Sequence, residues 1–329
     1  MLKELFRIVD LHADLPLHVT ERRTAGESRV LERYHLEKLR KGSVTAVITP
    51  IWVESSYKPS GALRRGLQIL EAFEEDIDEC PNFTLVRSYQ EFLEAEAKEK
   101  IGLVLGVEGG EVIEDDLGLL RYFHRVGVRC FGLVWNQRNL MADGWEHPGA
   151  EQGLTDFGRQ VLAELQRLGI IIDLAHMAPK SFWDVLKITK HPVIVSHTTT
   201  IRHRSLRSLT DDQLRAIASN GGLVGIYAVN TGTNTVSVRD LRAYCDHVEH
   251  AIKVAGPEHV GLGPDFYDYF LEALSAEYPD IKYQPVVDLE DHTKLGAVLS
   301  ELHQRGLSDD EIYMISRDNF ARILAKVVG

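Results

Sequence analysis

Short apolar runs rich in β-branched residues alternate with longer amphipathic segments along this chain, and the alternation restricts the folds open to it. Eight runs are predicted to be strands: residues 7–11, 44–51, 102–107, 128–134, 169–174, 192–196, 222–227 and 259–263. Eight segments of helical periodicity are predicted to be helices: residues 31–41, 61–79, 88–99, 116–126, 155–168, 178–189, 210–219 and 238–255. Such alternation implies parallel strands joined by crossovers. Eight repeats favour an α/β fold of the (β/α)8 TIM-barrel type over the alternative, a doubly wound open sheet.

The length of the chain agrees with one barrel domain. Its 329 residues exceed one small domain, but α/β barrels of this length fold as a single unit. We therefore predict one domain over residues 1–329. Residues 265–288, which are rich in tyrosine, are predicted to form a long final loop over the barrel mouth, and residues 293–328 are predicted to form two closing helices.

Composition disfavours several classes of partner. The formal net charge of −12 argues against nucleic acid and against anionic membrane surfaces. The three cysteines are far apart, so we expect neither a disulfide framework nor a thiolate metal site, as is usual in a reducing cytoplasm. The chain has no apolar run of membrane-spanning length and no apolar leader, so we expect a cytoplasmic protein with no membrane contact.

Residues that can ligate a metal follow several of the predicted strands. His12 and Asp14 end the first strand and, being two residues apart, project to the same face. Glu108, His176 and His197 stand at the ends of later strands. Active sites of α/β barrels lie at these strand ends. Imidazole and carboxylate groups without thiolate suit zinc or another divalent first-row ion, so we predict a metal site.

Further polar and aromatic residues follow other strands. Trp135, Tyr227 and Asp265 each come just after an apolar run. Asp173 precedes His176 by three residues and is interpreted either as a support for the metal ligands or as a structural residue. Most of the remaining histidines lie in predicted loops or on helix faces, and they are interpreted as solvated surface groups.

At these residues the chain resembles the renal (membrane) dipeptidase family, peptidase family M19, within the metal-dependent amidohydrolase superfamily. The resemblance covers nearly the whole chain. The matching segments are DLHADLP at 10–16, GVEGG at 106–110, IDLAH at 172–176, IVSH at 194–197 and GLGPDF at 261–266. The segment at 106–110 is the most specific of them.

The resemblance implies a site with two zinc ions. By this likeness, His12 and Asp14 hold one ion, His176 and His197 hold the other, and Glu108 bridges both. It also implies a zinc-dependent dipeptidase that hydrolyses L-L or L-D dipeptides by a metal-bridging hydroxide. The substrate is a small molecule, and the oligomeric state is left open, with a homodimer as the candidate assembly.

The resemblance also assigns residues to the substrate. Arg207 matches the arginine that binds the substrate carboxylate, and a one-residue difference in spacing leaves Arg202 or Arg204 as alternatives. Asp265 matches the acidic residue implied to handle protons and the substrate amine. Tyr227 is predicted to contact the substrate.

One departure from the family concerns Trp135, which stands where animal members have a histidine thought to polarise the substrate carbonyl. Tryptophan donates one N–H and carries no charge. Its presence motivates a second hypothesis, an amidohydrolase acting on another small amide or a lactam. A third hypothesis is a metal-binding homologue without catalytic activity. Trp135 is predicted to shape the substrate pocket.

Overall fold

The computed structural model of the protein describes residues 6–146, 152–200, 207–231 and 238–329. Its strands are β1 (Ile8–Asp10), β2 (Val44–Trp52), β3 (Phe83–Leu85), β4 (Ile101–Glu108), β5 (Cys130–Gly132), β6 (Ile171–Asp173), β7 (Ile194–Thr198), β8 (Leu223–Ile226) and β9 (Val260–Leu262). The α-helices are α1 (Leu15–Thr24), α2 (Leu36–Lys41), α3 (Ala62–Glu79), α4 (Tyr89–Ala97), α5 (Leu117–Val126), α6 (Asp156–Leu168), α7 (Pro179–Ile188), α8 (Asp211–Asn220), α9 (Leu241–Ala255), α10 (Leu271–Glu277), α11 (Leu295–Gln304), α12 (Asp309–Tyr313) and α13 (Asn319–Val327). Short 3₁₀ turns cover Ser55–Tyr57, Gly110–Ile113, Pro257–His259 and His292–Lys294, and π-helical turns cover Leu31–His35 and Met314–Asp318.

Eight of the strands close into a parallel barrel. The order of neighbours is β2-β1-β9-β8-β7-β6-β5-β4, and a parallel pairing of β2 with β4 closes the ring. The short strand β3 pairs with the first residues of β4 and stands outside this ring. The predicted (β/α)8 TIM barrel is therefore confirmed, and the open-sheet alternative is wrong.

The elements that the sequence pattern missed are short or lack periodicity. Strand β3 has three residues, too few to show an alternation. Helix α1 follows β1 directly, and residues 15–20 of this helix are all buried, so that half presents no 3.6-residue pattern. Helix α10 lies inside the segment that was predicted to be a loop.

The amino end of the barrel is closed by the last helix. Phe320, Ile323 and Leu324 of α13 belong to one buried cluster with barrel-interior side chains such as Val9 and Ile171. The α13 side chains also donate hydrogen bonds to backbone carbonyls at the amino ends of two strands. These bonds run from Asn319 Nδ2 to Val260 O (2.8 Å) and from Arg322 Nη1 to Gly221 O (2.7 Å). Since the amino end is plugged, the carboxyl ends of the strands are left for a site.

Residues 295–327, within the segment 293–328 for which two closing helices are expected, form two helical units. Helix α11 is the first, and α12 continues through a π-helical turn into α13 to make the second. Among the residues that the structure describes, we find no helix with both the length and the apolar character that a membrane span requires.

A bulge in β7 aims one carbonyl into the barrel. The register of β7 against β8 shifts between Val195 and Thr198. A Cβ built on Gly225 or on Gly263 would lie 1.9 Å from the Ser196 carbonyl oxygen, so both positions require glycine for space. Bulges of this kind re-aim side chains next to active sites. Here the bulge sets the direction of His197, which directly follows Ser196.

Replacing Gly225 with alanine should therefore destabilise the protein. We expect Gly225→Ala to lower the free energy of unfolding by about 1–3 kcal/mol, because the added methyl group overlaps the Ser196 carbonyl. Gly106→Ala is the matched control, since a Cβ at that strand position has its nearest contact at 3.5 Å. Urea denaturation measures both. Equal unfolding midpoints for the two variants would contradict the close approach.

Candidate metal centre and active site

One cavity of about 250 Å³ opens at the carboxyl ends of the strands, a size that suits a small molecule. All nine residues singled out in the sequence as metal-binding, catalytic or substrate-binding line this cavity: His12, Asp14, Glu108, Trp135, His176, His197, Arg207, Tyr227 and Asp265. The alternatives Arg202 and Arg204 lie outside the described residues. The structure thus brings together side chains from His12, near the amino end of the chain, to Asp265, beyond the last barrel strand.

The end of β1 is fixed by an aspartate that the sequence argument did not use. Asp10 is fully buried and accepts a hydrogen bond from the His12 backbone N–H (3.0 Å). Its other oxygen lies 2.8 Å from Nε2 of His292. Asp10 therefore ties the turn that carries His12 and Asp14 to the segment that follows the last strand.

Glu108 lies at the centre of the cluster. Its Oε2 is 3.6 Å from His12 Nε2. Its Oε1 is 2.7 Å from His176 Nε2 and 3.4 Å from His197 Nε2. One carboxylate oxygen thus faces the β1 side of the site and the other faces the two later histidines, which is the arrangement that a bridging carboxylate requires.

The two later histidines present the same ring nitrogen to one point. Nε2 of His176 and Nε2 of His197 are 2.8 Å apart. Nδ1 of His176 lies 2.5 Å from the Asn136 amide oxygen. Nδ1 of His197 lies 2.8 Å from Ser196 Oγ. Partners on the distal ring nitrogen are what orient metal-bound histidines.

Two of these residues adopt backbone conformations that L-amino acids rarely take. His176 has φ +64° and Asp265 has φ +56°, both in the left-handed region. Such a conformation costs about 1–3 kcal/mol and persists where surrounding structure enforces it. The backbone strain at both positions coincides with side chains that point into the cluster.

The electrostatics of the cluster call for positive charge. Burial raises the pKa of Glu108 and of Asp265, because each carboxylate loses water. Burial also lowers the pKa of His176 and His197. For His12 burial acts in the same direction, but Glu108 and Asp14 outweigh it and raise the pKa to about 10. The carboxylates therefore gain from any cation placed among them.

The donor set fits a divalent metal ion. Asp14 Oδ1 is buried and has no hydrogen-bond partner. Ligand atoms of His12, Glu108 and His197 lie within 4.8 Å of one another, as do those of His12, Asp14 and Asp265. These are nitrogen and oxygen donors, and the three cysteines are free and buried. Imidazole and carboxylate ligands without thiolate are typical of catalytic zinc and related ions.

Arg207 and Tyr227 lie together beside the cluster. The Arg207 guanidinium carbon is 5.3 Å from the centre of the Tyr227 ring. Nη1 of Arg207 lies 2.7 Å from His176 Nδ1, and Nη2 lies 3.8 Å from Asp265 Oδ2. The guanidinium is thus close enough to the proposed metal-binding atoms for one small ligand to contact both.

Trp135 packs into the wall of the cavity. Its ring centre lies 5.0 Å from that of Trp52, 5.7 Å from that of Tyr278 and 6.0 Å from that of His176. The Lys58 ammonium lies 4.9 Å from the Trp135 ring centre. The indole therefore offers apolar area to a bound molecule and no titrating group.

The segment predicted to cover the barrel mouth does line the cavity. Its contribution consists of Tyr267, Phe270, Leu274, Tyr278, Ile281 and Tyr283. Asn136 is a residue whose role the sequence argument missed. It contacts His176, the Trp145 indole N–H (2.5 Å) and the Tyr278 hydroxyl, and thereby links a proposed metal ligand to this segment. The signal available was its place directly after Trp135.

The interpretation of most other histidines as surface groups is wrong for four of them. His18, His35, His247 and His292 are each at most 3% exposed. Each has an internal partner. His18 Nδ1 lies 2.9 Å from His35 Nε2, His247 Nδ1 accepts from the Thr200 N–H (3.2 Å), and His292 contacts Asp10. Burial with a polar partner leaves no periodic trace in the sequence.

Solved structures share this fold at low sequence identity. An amidohydrolase from Pseudomonas aeruginosa is 23% identical, with 100% of this chain and 98% of that chain covered and a TM-score of 0.84. A metallo peptidase from Rhodobacter sphaeroides, liganded with a phosphinate mimic of the dipeptide L-Ala-D-Ala, is 22% identical, with 98% and 99% covered and a TM-score of 0.85. A dipeptidase described as a metallo peptidase of family M19 is 23% identical, with 98% and 99% covered and a TM-score of 0.85.

The family itself is established by a match along the sequence. The family model described as membrane dipeptidase, peptidase family M19, matches residues 1–328. The match spans the barrel, the cluster around Glu108 and the helices that close the amino end. This chain therefore belongs to the membrane dipeptidase family, peptidase family M19, and is a metal-dependent peptide hydrolase.

Proposed function

We propose that this protein is a zinc-dependent dipeptidase that holds two zinc ions. The observation that carries the proposal is the position of Glu108, whose two oxygens face different sets of histidines. His12 and Asp14 would hold one ion, and His176 and His197 the other. Zinc ions bound there would lower the pKa of water toward 7 and polarise the scissile carbonyl.

The remaining residues would act on the substrate. Arg207 binds the C-terminal carboxylate of the dipeptide by a charge-assisted pair. Asp265 accepts a proton from the attacking water and passes it to the leaving amine. Burial raises the pKa of Asp265, which favours such a shuttle near neutral pH. Trp135 and Tyr227 wall the pocket and keep water from the reacting bond.

Two observations support a dipeptide as the substrate. The cavity is small and has an arginine at one boundary of the cluster, which suits a short ligand with a carboxylate. The related metallo peptidase from Rhodobacter sphaeroides was solved with a phosphinate mimic of a dipeptide. Both L-L and L-D dipeptides belong in the test panel.

A second candidate is hydrolysis of another small amide or a lactam. Trp135 favours it, because an indole cannot supply the charged donor that a histidine would supply at this position. The same panel, extended with N-acyl amino acids and lactams, separates the two functions. A cytoplasmic location, in keeping with three free buried cysteines, and a homodimer stay predictions.

Glu108→Gln should disturb both metal positions together. An amide is a poor bridging ligand, so we expect metal content to fall from about two ions per chain to fewer than one, with loss of activity. Elemental analysis of protein purified without chelator and reconstituted with zinc measures it. Glu114→Gln is the control, since that side chain is exposed. Full metal content in Glu108→Gln would remove Glu108 from the site.

Asp265→Asn should retain the bound metal but lower the rate of dipeptide hydrolysis. The amide preserves the shape of the side chain but accepts no proton, so kcat for a dipeptide should fall about 10²–10⁴-fold. Asp280→Asn, an exposed change in the same segment, should leave kcat unaltered. An unchanged kcat in Asp265→Asn would make Asp265 a structural residue.

Arg207→Met should affect substrates according to their C-terminus. We expect kcat/KM for dipeptides to fall about 10–150-fold, while C-terminally amidated analogues change little, because only the former lose a charge-assisted bond. Arg215→Met removes an exposed arginine of α8 and serves as the control. Equal losses for both types of substrate would refute the role of Arg207, and Arg202 and Arg204 would be tested next.

A further inference from the structure

Glu146 lines the cavity, and its carboxylate has no role in the proposed reaction. It stands in the loop that follows β5, and the backbone of that loop is anchored to the site. The Glu146 N–H donates to Asn136 O (2.9 Å), and the Trp145 N–H donates to His176 O (3.0 Å). The backbone that carries the Glu146 side chain is therefore fixed beside His176, a proposed metal ligand. Glu146 lines the same cavity as Arg207 and Asp265.

The charge of Glu146 is weakly compensated within the described part of the chain. Its side chain accepts a long hydrogen bond from the Tyr278 hydroxyl (3.5 Å), and no ion pair joins it to another described residue. Burial raises the pKa of Glu146, whereas the positive charge of Arg207 and hydrogen bonding from the Tyr278 and Asn136 side chains act in the opposite direction. A half-buried carboxylate without an ion-pair partner would be stabilised by a cationic group on a bound ligand.

Aromatic rings flank this carboxylate. Trp145 and Tyr278 both line the cavity next to Glu146. The Trp145 indole is held by its N–H bond to Asn136 Oδ1 (2.5 Å), and Tyr278 is held by the Asn136 side chain. A carboxylate beside aromatic rings of fixed position is the chemistry that recognises an ammonium or guanidinium group on an alkyl stem.

The two terminal charges of a dipeptide have partners other than Glu146, so Glu146 is available to a charged side chain of the substrate. In the proposed function Arg207 binds the C-terminal carboxylate, and the family resemblance assigns the N-terminal amine of the substrate to Asp265. A dipeptide with neutral side chains then has no further charge for Glu146. We propose that Glu146 determines specificity by binding a cationic side chain, so that dipeptides with lysine or arginine are the preferred substrates. This inference rests on the proposed function for the identity of the ligand.

The test compares side chains that differ in charge at nearly constant size. Lys-Ala, Ala-Lys and their norleucine counterparts are assayed with the zinc-loaded wild type, Glu146→Gln and Glu272→Gln. Glu272 is exposed on α10 and lies outside the cavity lining, so its variant controls for overall charge. We expect the wild type to favour at least one lysine dipeptide over its norleucine counterpart by about tenfold in kcat/KM. Glu146→Gln should abolish that ratio, and Glu272→Gln should keep it.

Two results would overturn the inference. One is a wild type with no lysine preference at either position, and the other is a Glu146→Gln variant that keeps the preference. Failure of the proposed function looks different, since no dipeptide would then be hydrolysed. In that case calorimetric binding of the same four dipeptides to zinc-loaded Asp265→Asn, with and without Glu146→Gln, still decides the inference. The inference is supported if Asp265→Asn binds a lysine dipeptide more tightly than its norleucine counterpart and the added Glu146→Gln removes that difference. It is refuted if Asp265→Asn binds the lysine and norleucine dipeptides equally, or if the difference persists in the double variant.

Discussion

The burial of several carboxylates at one point, away from water and close to one another, is the constraint on which this structure depends. Asp14, Glu108 and Asp265 converge at the carboxyl end of the barrel, where burial raises the pKa of Glu108 and Asp265. Desolvated charges of one sign cost several kcal/mol each unless a partner compensates them. His12 supplies part of that compensation, and its pKa rises to about 10 as a result. Divalent ions would supply the remainder, in keeping with the membership of this chain in a metal-dependent family.

Holding such a cluster together requires a rigid frame, and the barrel provides it from several directions. Asp10 fixes the end of β1 through His292, and a bulge in β7 orients His197. Helix α13 plugs the opposite end of the barrel, so the apolar interior stays continuous beneath the site. The cost of the left-handed backbone at His176 and Asp265 is met by this surrounding structure.

The same cluster is connected to the walls that select a substrate. Asn136 contacts His176 on one side and Trp145 and Tyr278 on the other. The orientation of a proposed metal ligand and the position of the aromatic wall are thus set by one side chain. Glu146 lies next to that wall, so the proposed chemistry and the proposed side-chain recognition would share one support.

The sequence by itself determined the architecture and the candidate site. Alternating periodicity fixed the order of strands and helices, because burial on both faces of a parallel strand requires a continuous apolar run. Parallel strands in a closed barrel bring their carboxyl ends to one rim, so residues following them, such as Glu108 and Asp265, were predictable as neighbours. The sequence pattern did not predict β3 or α1, because neither element has a hydrophobic repeat long enough to detect.

Tertiary structure alone decided how the side chains meet. The division of the two Glu108 oxygens between His12 and the later histidines depends on the twist and closure of the barrel, which no local pattern encodes. The bond between Asn136 and Tyr278 joins positions 142 residues apart, and the burial of His18 against His35 depends on the packing of separate elements. Periodicity reports which face of an element is apolar, whereas these contacts depend on where the elements come to lie in space.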